Sequence, residues 1–97
     1  MSRTKRPDEA YEIESVSKAA AVLEALEGTI FEPVPVQRII NRTGFSRDFV
    51  ERALKTWRLR GYAAQNDRGE WYMGNRILRL ANSYGQICLA AIAKTEE

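Results

Sequence analysis

The first third of the chain shows helical periodicity. The segment 15–28 is rich in alanine, the strongest helix former, and apolar residues recur in it three or four positions apart, at Val16, Ala20, Leu23 and Leu26. Ser15 is a suitable N-cap, and Gly28 a suitable stop. The pattern therefore predicts a first helix over this segment, preceded by a polar, flexible arm over residues 1–14.

Two short amphipathic helices follow an extended segment that contains Pro33 and Pro35. The apolar face of the second helix is formed by Val36, Ile39, Ile40 and Thr43. Gly44 ends this helix, and Ser46 caps the third, whose apolar face before Gly61 is formed by Val50, Ala53, Leu54 and Trp57. Two helices joined by a short glycine-containing turn predict a helix-turn-helix.

After Gly61 the period changes from helix to strand. Two short aromatic segments, 62–65 and 71–73, flank the turn sequence Asn66-Asp67-Arg68-Gly69, which predicts a β-hairpin in the position of a wing. The remainder is helical again. We therefore expect a mainly α (α+β) fold: a winged helix-turn-helix domain over 15–75, with a three-helix core and a hairpin wing, and a C-terminal helix over 76–97.

The C-terminal helix carries an apolar stripe formed by Ile77, Ala81, Tyr84, Cys88 and Ile92. Because the winged domain is already complete at the hairpin, this stripe would leave an apolar patch on a monomer, which favours a homodimer formed through this helix. The alternative is that the helix packs back on its own domain.

Positive charge is concentrated in the middle of the chain. Ten of the 15 Lys and Arg residues, but only four of the 13 acids, lie in the segment 38–79. That segment therefore carries +6 in a chain whose net charge is +2. Nine of the ten cations are arginine, whose planar guanidinium suits phosphate groups and guanine edges. This distribution favours nucleic acid as the partner, the alternative being a solvated surface that is basic by composition.

Several function classes are disfavoured by what the sequence lacks. It contains no histidine, one cysteine and no glycine-rich phosphate loop, so we expect no catalysis, no metal and no cofactor. Cys88 is interpreted as a core or interface residue. The longest uninterrupted apolar run, 87–93, is far too short for a membrane span. The first residues show no apolar stretch after their basic residues, so we expect no signal peptide and a cytoplasmic protein without membrane contact.

The candidate DNA contacts follow from the helix-turn-helix geometry, in which the first turns of the third helix enter the major groove. The candidates for base contacts begin at Ser46 and include Arg47 and Arg52, which can pair with guanine. Asp48 and Glu51 lie on the same face, where they either accept from cytosine or form surface ion pairs with the arginines. The expected phosphate contacts are Arg38, Arg42, Thr43 and Lys55, with Arg68 at the wing tip. For Phe49 and Trp71, a place at the core edge and a DNA contact both stay open.

The order of these motifs resembles the DNA-binding part of the IclR-type transcription regulators. The first helix, SVSKAAAVLEALEG, is similar to the opening helix of that family, and the features Arg42-Thr43-Gly44, Gly61-Tyr62, Gly69 and a closing aromatic-x-x-Gly-x-Arg-x-Leu run follow in the family's order. The chain departs from the family pattern at Phe49 and Glu51. The resemblance implies a winged helix-turn-helix regulator, here expected to stand alone without the family's effector-binding domain and thus without a small-molecule effector in this chain.

The sequence thus predicts sequence-specific binding of double-stranded DNA, in the role of a transcriptional regulator. The alternative is a winged helix that serves as a protein-interaction or assembly module of a phage or multi-subunit complex, since fold alone does not decide function.

Overall fold

The computed structural model of the chain describes residues 11–82, and its elements follow the predicted order. The three helices of the core are α1 (Glu14–Glu24), α2 (Val36–Thr43) and α3 (Arg47–Leu59), and the hairpin strands are β1 (Ala63–Gln65) and β2 (Trp71–Met73). A fourth helical segment, α4, begins at residue 75 and runs to the end of the described range at 82. The architecture is a winged helix-turn-helix of mixed α+β class, as predicted.

The turn between α2 and α3 is only three residues long and has two local causes. Gly44 takes a left-handed conformation with φ of 76°, and its N–H donates to the carbonyl of Ile40 at 2.8 Å. Two residues later the Ser46 hydroxyl accepts from the Phe49 N–H at 3.2 Å and caps α3. Both ends were predicted from sequence, and together they set α2 and α3 at the short separation that defines a helix-turn-helix.

The wing is larger than the predicted hairpin because a third segment joins it. β1 and β2 pair antiparallel, with Gln65 opposite Trp71. Val34, in the proline-containing segment before α2, exchanges two backbone hydrogen bonds with Trp71, at 2.9 and 2.7 Å. The sequence indicated an extended segment here but not its pairing, which attaches the wing to the chain before α2 as well as to the end of α3.

The core lies where the three helices meet the inner face of the hairpin. The largest fully buried side chains are Leu26, Ile39 and Leu54, each of which stabilises the fold by about 1.5–3 kcal/mol through burial. Trp71 is also buried and covers the hairpin side of the core. Trp57 is half-buried, and its indole N–H donates to the carbonyl of Ala19 at 2.8 Å, which fastens α3 to α1.

Three expectations for α1 were wrong: its first residue, its last residue and one residue of its buried face. The helix ends at Glu24, four residues before the predicted stop at Gly28. The helix begins at Glu14 rather than after a Ser15 cap, because the carbonyl of Ile13 accepts from the Ser17 N–H at 2.9 Å and no side chain caps the helix. Val16, predicted on the buried face, is 57% exposed. It borders an open groove of about 450 Å³ between α1 and α3, whose floor includes the small side chain of Ala53. The buried face of α1 is instead centred on Val22.

The predicted dimerisation stripe is only partly within the described residues. Ile77 is half-buried and Ala81 is exposed on α4, whereas Tyr84, Cys88 and Ile92 lie outside the described range.

No helix within residues 11–82 is long and apolar enough to span a membrane.

Candidate nucleic-acid interface

The exposed face of α3 begins with an arginine held by two partners. Arg47 donates to the amide oxygen of Gln37 on α2 at 2.8 Å and to the carboxylate of Glu51 one turn later at 3.3 Å. Its side chain is nevertheless 54% exposed. The guanidinium is therefore oriented in advance while part of its hydrogen-bonding capacity faces solvent, an arrangement suited to a bidentate contact.

Further around the exposed surface of α3, Arg52 lies 3.7 Å from Asp48, and both side chains are more than three-quarters exposed. Exposed pairs at this spacing are worth only a few tenths of a kcal/mol, so they separate readily when a stronger partner approaches. Both acids in the first two turns of α3 are thus neutralised by an arginine. Lys55 follows on the exposed surface, so the exposed side of α3 presents cations and paired acids rather than unpaired acids.

The candidate phosphate contacts on α2 differ from each other in their surroundings. Arg38 is exposed near the start of the helix. Arg42 donates from Nη1 to the carbonyl of Ala25, the C-cap residue of α1, at 2.7 Å. The Thr43 hydroxyl lies within the turn, where it donates to the Ile39 carbonyl at 3.0 Å and accepts from the Phe45 N–H at 3.3 Å. Arg42 and Thr43 therefore contribute to the fold, whatever else they bind.

The wing tip is organised around one asparagine. The side-chain oxygen of Asn66 accepts from the backbone N–H groups of Arg68 and Glu70, at 3.0 and 2.9 Å. Its amide nitrogen donates to the Glu70 carboxylate at 2.9 Å. These bonds fix the turn and leave the Arg68 side chain exposed at its tip.

The structure brings the face of α3 and the wing together. Glu51 and Lys55 of α3 line one shallow groove of about 180 Å³ with Gln65 and Gly69 of the hairpin. The remaining wall is formed by Val36 and the edge of Trp71. The candidate base-reading helix and the candidate wing contact therefore border a common surface, although 14 positions separate Lys55 from Gly69 in the sequence.

Phe49 and Trp71, for which the sequence allowed either a place at the core edge or a DNA contact, differ in their surroundings. Trp71 is 4% exposed and belongs to the core. Phe49 is half-buried in an edge-to-face contact with Phe45, the ring centroids 5.6 Å apart. The ammonium group of Lys18 on α1 lies 4.8 Å from the Phe49 ring centroid, within the range of a cation–π contact.

Sequence reasoning missed contacts that join residues from different elements. At this surface they include Gln37 with Arg47, Arg42 with Ala25, and Lys18 with Phe49. Helical periodicity placed most of these residues on the correct faces but carries no information about partners across elements.

Within residues 11–82, no group of three His, Cys, Asp or Glu side chains is arranged to hold a metal ion.

Solved structures of transcription regulators share this fold. The IclR family transcriptional regulator from Brucella abortus matches with a TM-score of 0.69 and 22% sequence identity, covering 87% of this chain and 32% of that one. HmgR from Pseudomonas aeruginosa matches with a TM-score of 0.64 and 22% identity, covering 73% of this chain and 29% of that one. The IclR transcriptional regulator from Alicyclobacillus acidocaldarius matches with a TM-score of 0.65 and 22% identity, covering 74% of this chain and 29% of that one.

This chain thus spans less than a third of the length of each of these regulators. No protein-family model and no curated protein matches the sequence. At this level of identity the likeness establishes the fold, and it agrees with the fold implied by the sequence resemblance.

Proposed function

We propose that the chain is an IclR-type winged-helix module that binds double-stranded DNA and acts in transcription regulation. The observation that carries this proposal is the common surface of α3 and the wing, on which Lys55 and Gly69 border the same groove. In a winged helix this arrangement allows one helix to enter the major groove while the hairpin reaches the flanking backbone. The solved structures that share the fold are named as transcription regulators, which supports the same role.

In this proposal the start of α3 reads base edges. Arg47 and Arg52 supply the guanidinium groups that pair with guanine, and Ser46 lies at the capped end of the helix. The ion pairs with Glu51 and Asp48 are exposed, so exchanging them for contacts with DNA costs little. The acids remain nearby as acceptors for cytosine or as counterions that keep the arginines extended.

The phosphate contacts are assigned to exposed cations on both sides of α3. Arg38 precedes it on α2, Lys55 follows on α3 itself, and Arg68 occupies the wing tip. Arg42 and Thr43 belong to the same set by position, but their hydrogen bonds within the fold make them weaker candidates.

The proposal includes a homodimer formed through the C-terminal stripe of Ile77, Ala81, Tyr84, Cys88 and Ile92. Its support within the described residues is the start of α4, where Leu78 and Leu80 are 53% and 59% exposed. Two linked modules would read two half-sites about 34 Å apart and gain affinity without new contacts per subunit.

A second candidate function, a protein-interaction or assembly module, is favoured by one observation. Phe31, in the loop between α1 and α2, is 97% exposed, and its neighbour Ile30 is 40% exposed. Exposed aromatic residues are frequent anchors of protein interfaces.

Salt-dependent binding to random duplex DNA separates the two functions. A dimer that neutralises about six to eight phosphates should show a slope of log affinity against log salt of about −5 to −7. The measurement is a fluorescence-anisotropy titration at several salt concentrations, with heparin competition as a control for simple polyanion binding. A chain that does not bind duplex DNA even at about 50 mM salt would contradict the DNA-binding proposal, since phosphate attraction is strongest in low salt.

A further inference from the structure

A side-chain network joins the last turns of α3 to the wing. Arg58 donates from Nη1 to the amide oxygen of Gln65 at the end of β1. The same amide of Gln65 donates from Nε2 to the carbonyl of Gly69 in the turn, at 3.1 Å. The Arg58 guanidinium also lies over the buried ring of Trp71, 5.5 Å from its centroid. One arginine of α3 thus contacts both strands of the hairpin and, through Gln65, its turn.

The hairpin depends on such support because it is short. β1 and β2 contain three residues each, with three cross-strand pairs. Isolated two-stranded hairpins are at best marginally stable in water. Beyond the strands, the turn is closed by the Asn66 N–H, which donates to the Glu70 carbonyl at 3.0 Å, and by the Asn66 side chain. These bonds hold the turn together but do not set its direction relative to α3.

We propose that Arg58 and Gln65 are positioning residues that fix the wing tip, and with it Arg68, relative to the base-reading face of α3. This inference rests on the proposed DNA-binding function. The reason is geometric: Gln65 bonds α3 on one side and the turn at Gly69 on the other, so its side chain joins the two contact elements, in addition to the backbone bonds between Val34 and Trp71. Holding the tip in place lets the Arg68 contact form without ordering a mobile loop at the moment of binding.

A direct phosphate contact by Arg58 is the competing explanation for any effect of this residue. Arg58 is an exposed residue, but its guanidinium is engaged by Gln65 and lies over Trp71. Gln65 separates the two explanations because it is uncharged. Replacing Gln65 with Leu removes both side-chain hydrogen bonds and leaves every cation of the chain in place.

The test is a double-mutant cycle with Gln65→Leu and Arg68→Ala in the full chain, with random-sequence duplex DNA as the probe. Gln65→Leu should weaken binding by about three- to tenfold and flatten the salt slope by about one, as loss of the Arg68 contact would. In the Arg68→Ala background the same substitution should have almost no effect. Arg58→Lys, which keeps the charge but loses the planar fork, should behave like a milder Gln65→Leu. Arg60→Met, at the C-cap of α3, is the matched control for simple loss of charge.

Amide hydrogen exchange supplies a readout that does not involve DNA. In Gln65→Leu the Asn66 N–H, which closes the turn, should exchange about tenfold faster, while the Val50 N–H inside α3 should keep its rate. Unchanged exchange at Asn66 would overturn the inference. Additive effects of Gln65→Leu and Arg68→Ala on affinity would overturn it as well, and would leave the proposed function intact. Absence of duplex binding by the unmodified chain would refute the proposed function and, with it, the inference.

Discussion

Gly74 lies at the junction where β2 ends and α4 begins, packed against the backbone that leaves α3. A Cβ atom built on Gly74 would lie 2.3 Å from the carbonyl oxygen of Gly61 and 2.9 Å from the nitrogen of Ala63. Both neighbours are backbone atoms, so no side chain can rotate away. Two backbone hydrogen bonds hold this junction, from Gly74 N–H to the Tyr62 carbonyl at 2.9 Å and from Arg76 N–H to the Gly61 carbonyl at 3.1 Å.

The substitution Gly74→Ala must therefore separate the two backbones by roughly 1 Å, since heavy atoms in ordinary van der Waals contact lie about 3.5 Å apart. Overpacking in a well-packed region costs about 1–3 kcal/mol, and weakening two hydrogen bonds adds about 0.5–1.5 kcal/mol each. We expect the free energy of unfolding to fall by about 2–6 kcal/mol, a large part of the total for a domain of this size.

Gly44→Ala is the matched control. Gly44 also has a special backbone, with φ of +76°, but nothing lies within 4 Å of a Cβ at that position. Its cost should be limited to the left-handed strain of about 1–2 kcal/mol. The assay is urea unfolding followed by tryptophan fluorescence, with the midpoint and slope compared for the three proteins. If Gly74→Ala costs no more than Gly44→Ala, the reasoning from close backbone approach is wrong.

Three further predictions concern the candidate contacts. Arg42→Met should lower the free energy of unfolding by about 1 kcal/mol, because it removes a charged hydrogen bond to Ala25 at the end of α1. Arg38→Met should keep the free energy of unfolding within about 0.5 kcal/mol of the unmodified chain, so equal urea midpoints for the two variants would contradict the prediction. Arg52→Ala should weaken the free energy of binding to a specific site by about 1–3 kcal/mol and relax discrimination at one or two base pairs, whereas Arg38→Met should weaken binding to all duplexes alike. If a binding-site selection shows that Arg52→Ala weakens binding to all sequences equally, that side chain does not read bases. Tyr84→Glu should convert a dimer into a folded monomer in light scattering; a dimer that persists would place the interface elsewhere.

For the candidate site, the sequence predicts where most side chains lie on their helices but not which groups surround them. Ser46, Arg47 and Arg52 could be placed at the start and on the outer face of α3 because capping and helical period are local properties. The surroundings of Arg42 and Thr43 could not be predicted in the same way. Helical period places Arg42 on the outer face of α2 and Thr43 on its apolar face, but it does not reveal that the carbonyl of Ala25 and the turn at Phe45 engage them within the fold. Their role as phosphate contacts stays a prediction.

The sequence by itself determined the order and type of the elements. Glycine with a left-handed backbone at position 44, the Ser46 cap and the apolar face of α3 depend on residues a few positions apart, so their physics can be read locally. Only the tertiary structure decided that Val34 pairs with Trp71, that Val16 faces an open groove, and that Arg58 reaches the wing. These contacts depend on how the elements pack in three dimensions, and two residues that meet across elements have no shared spacing in the sequence to reveal them.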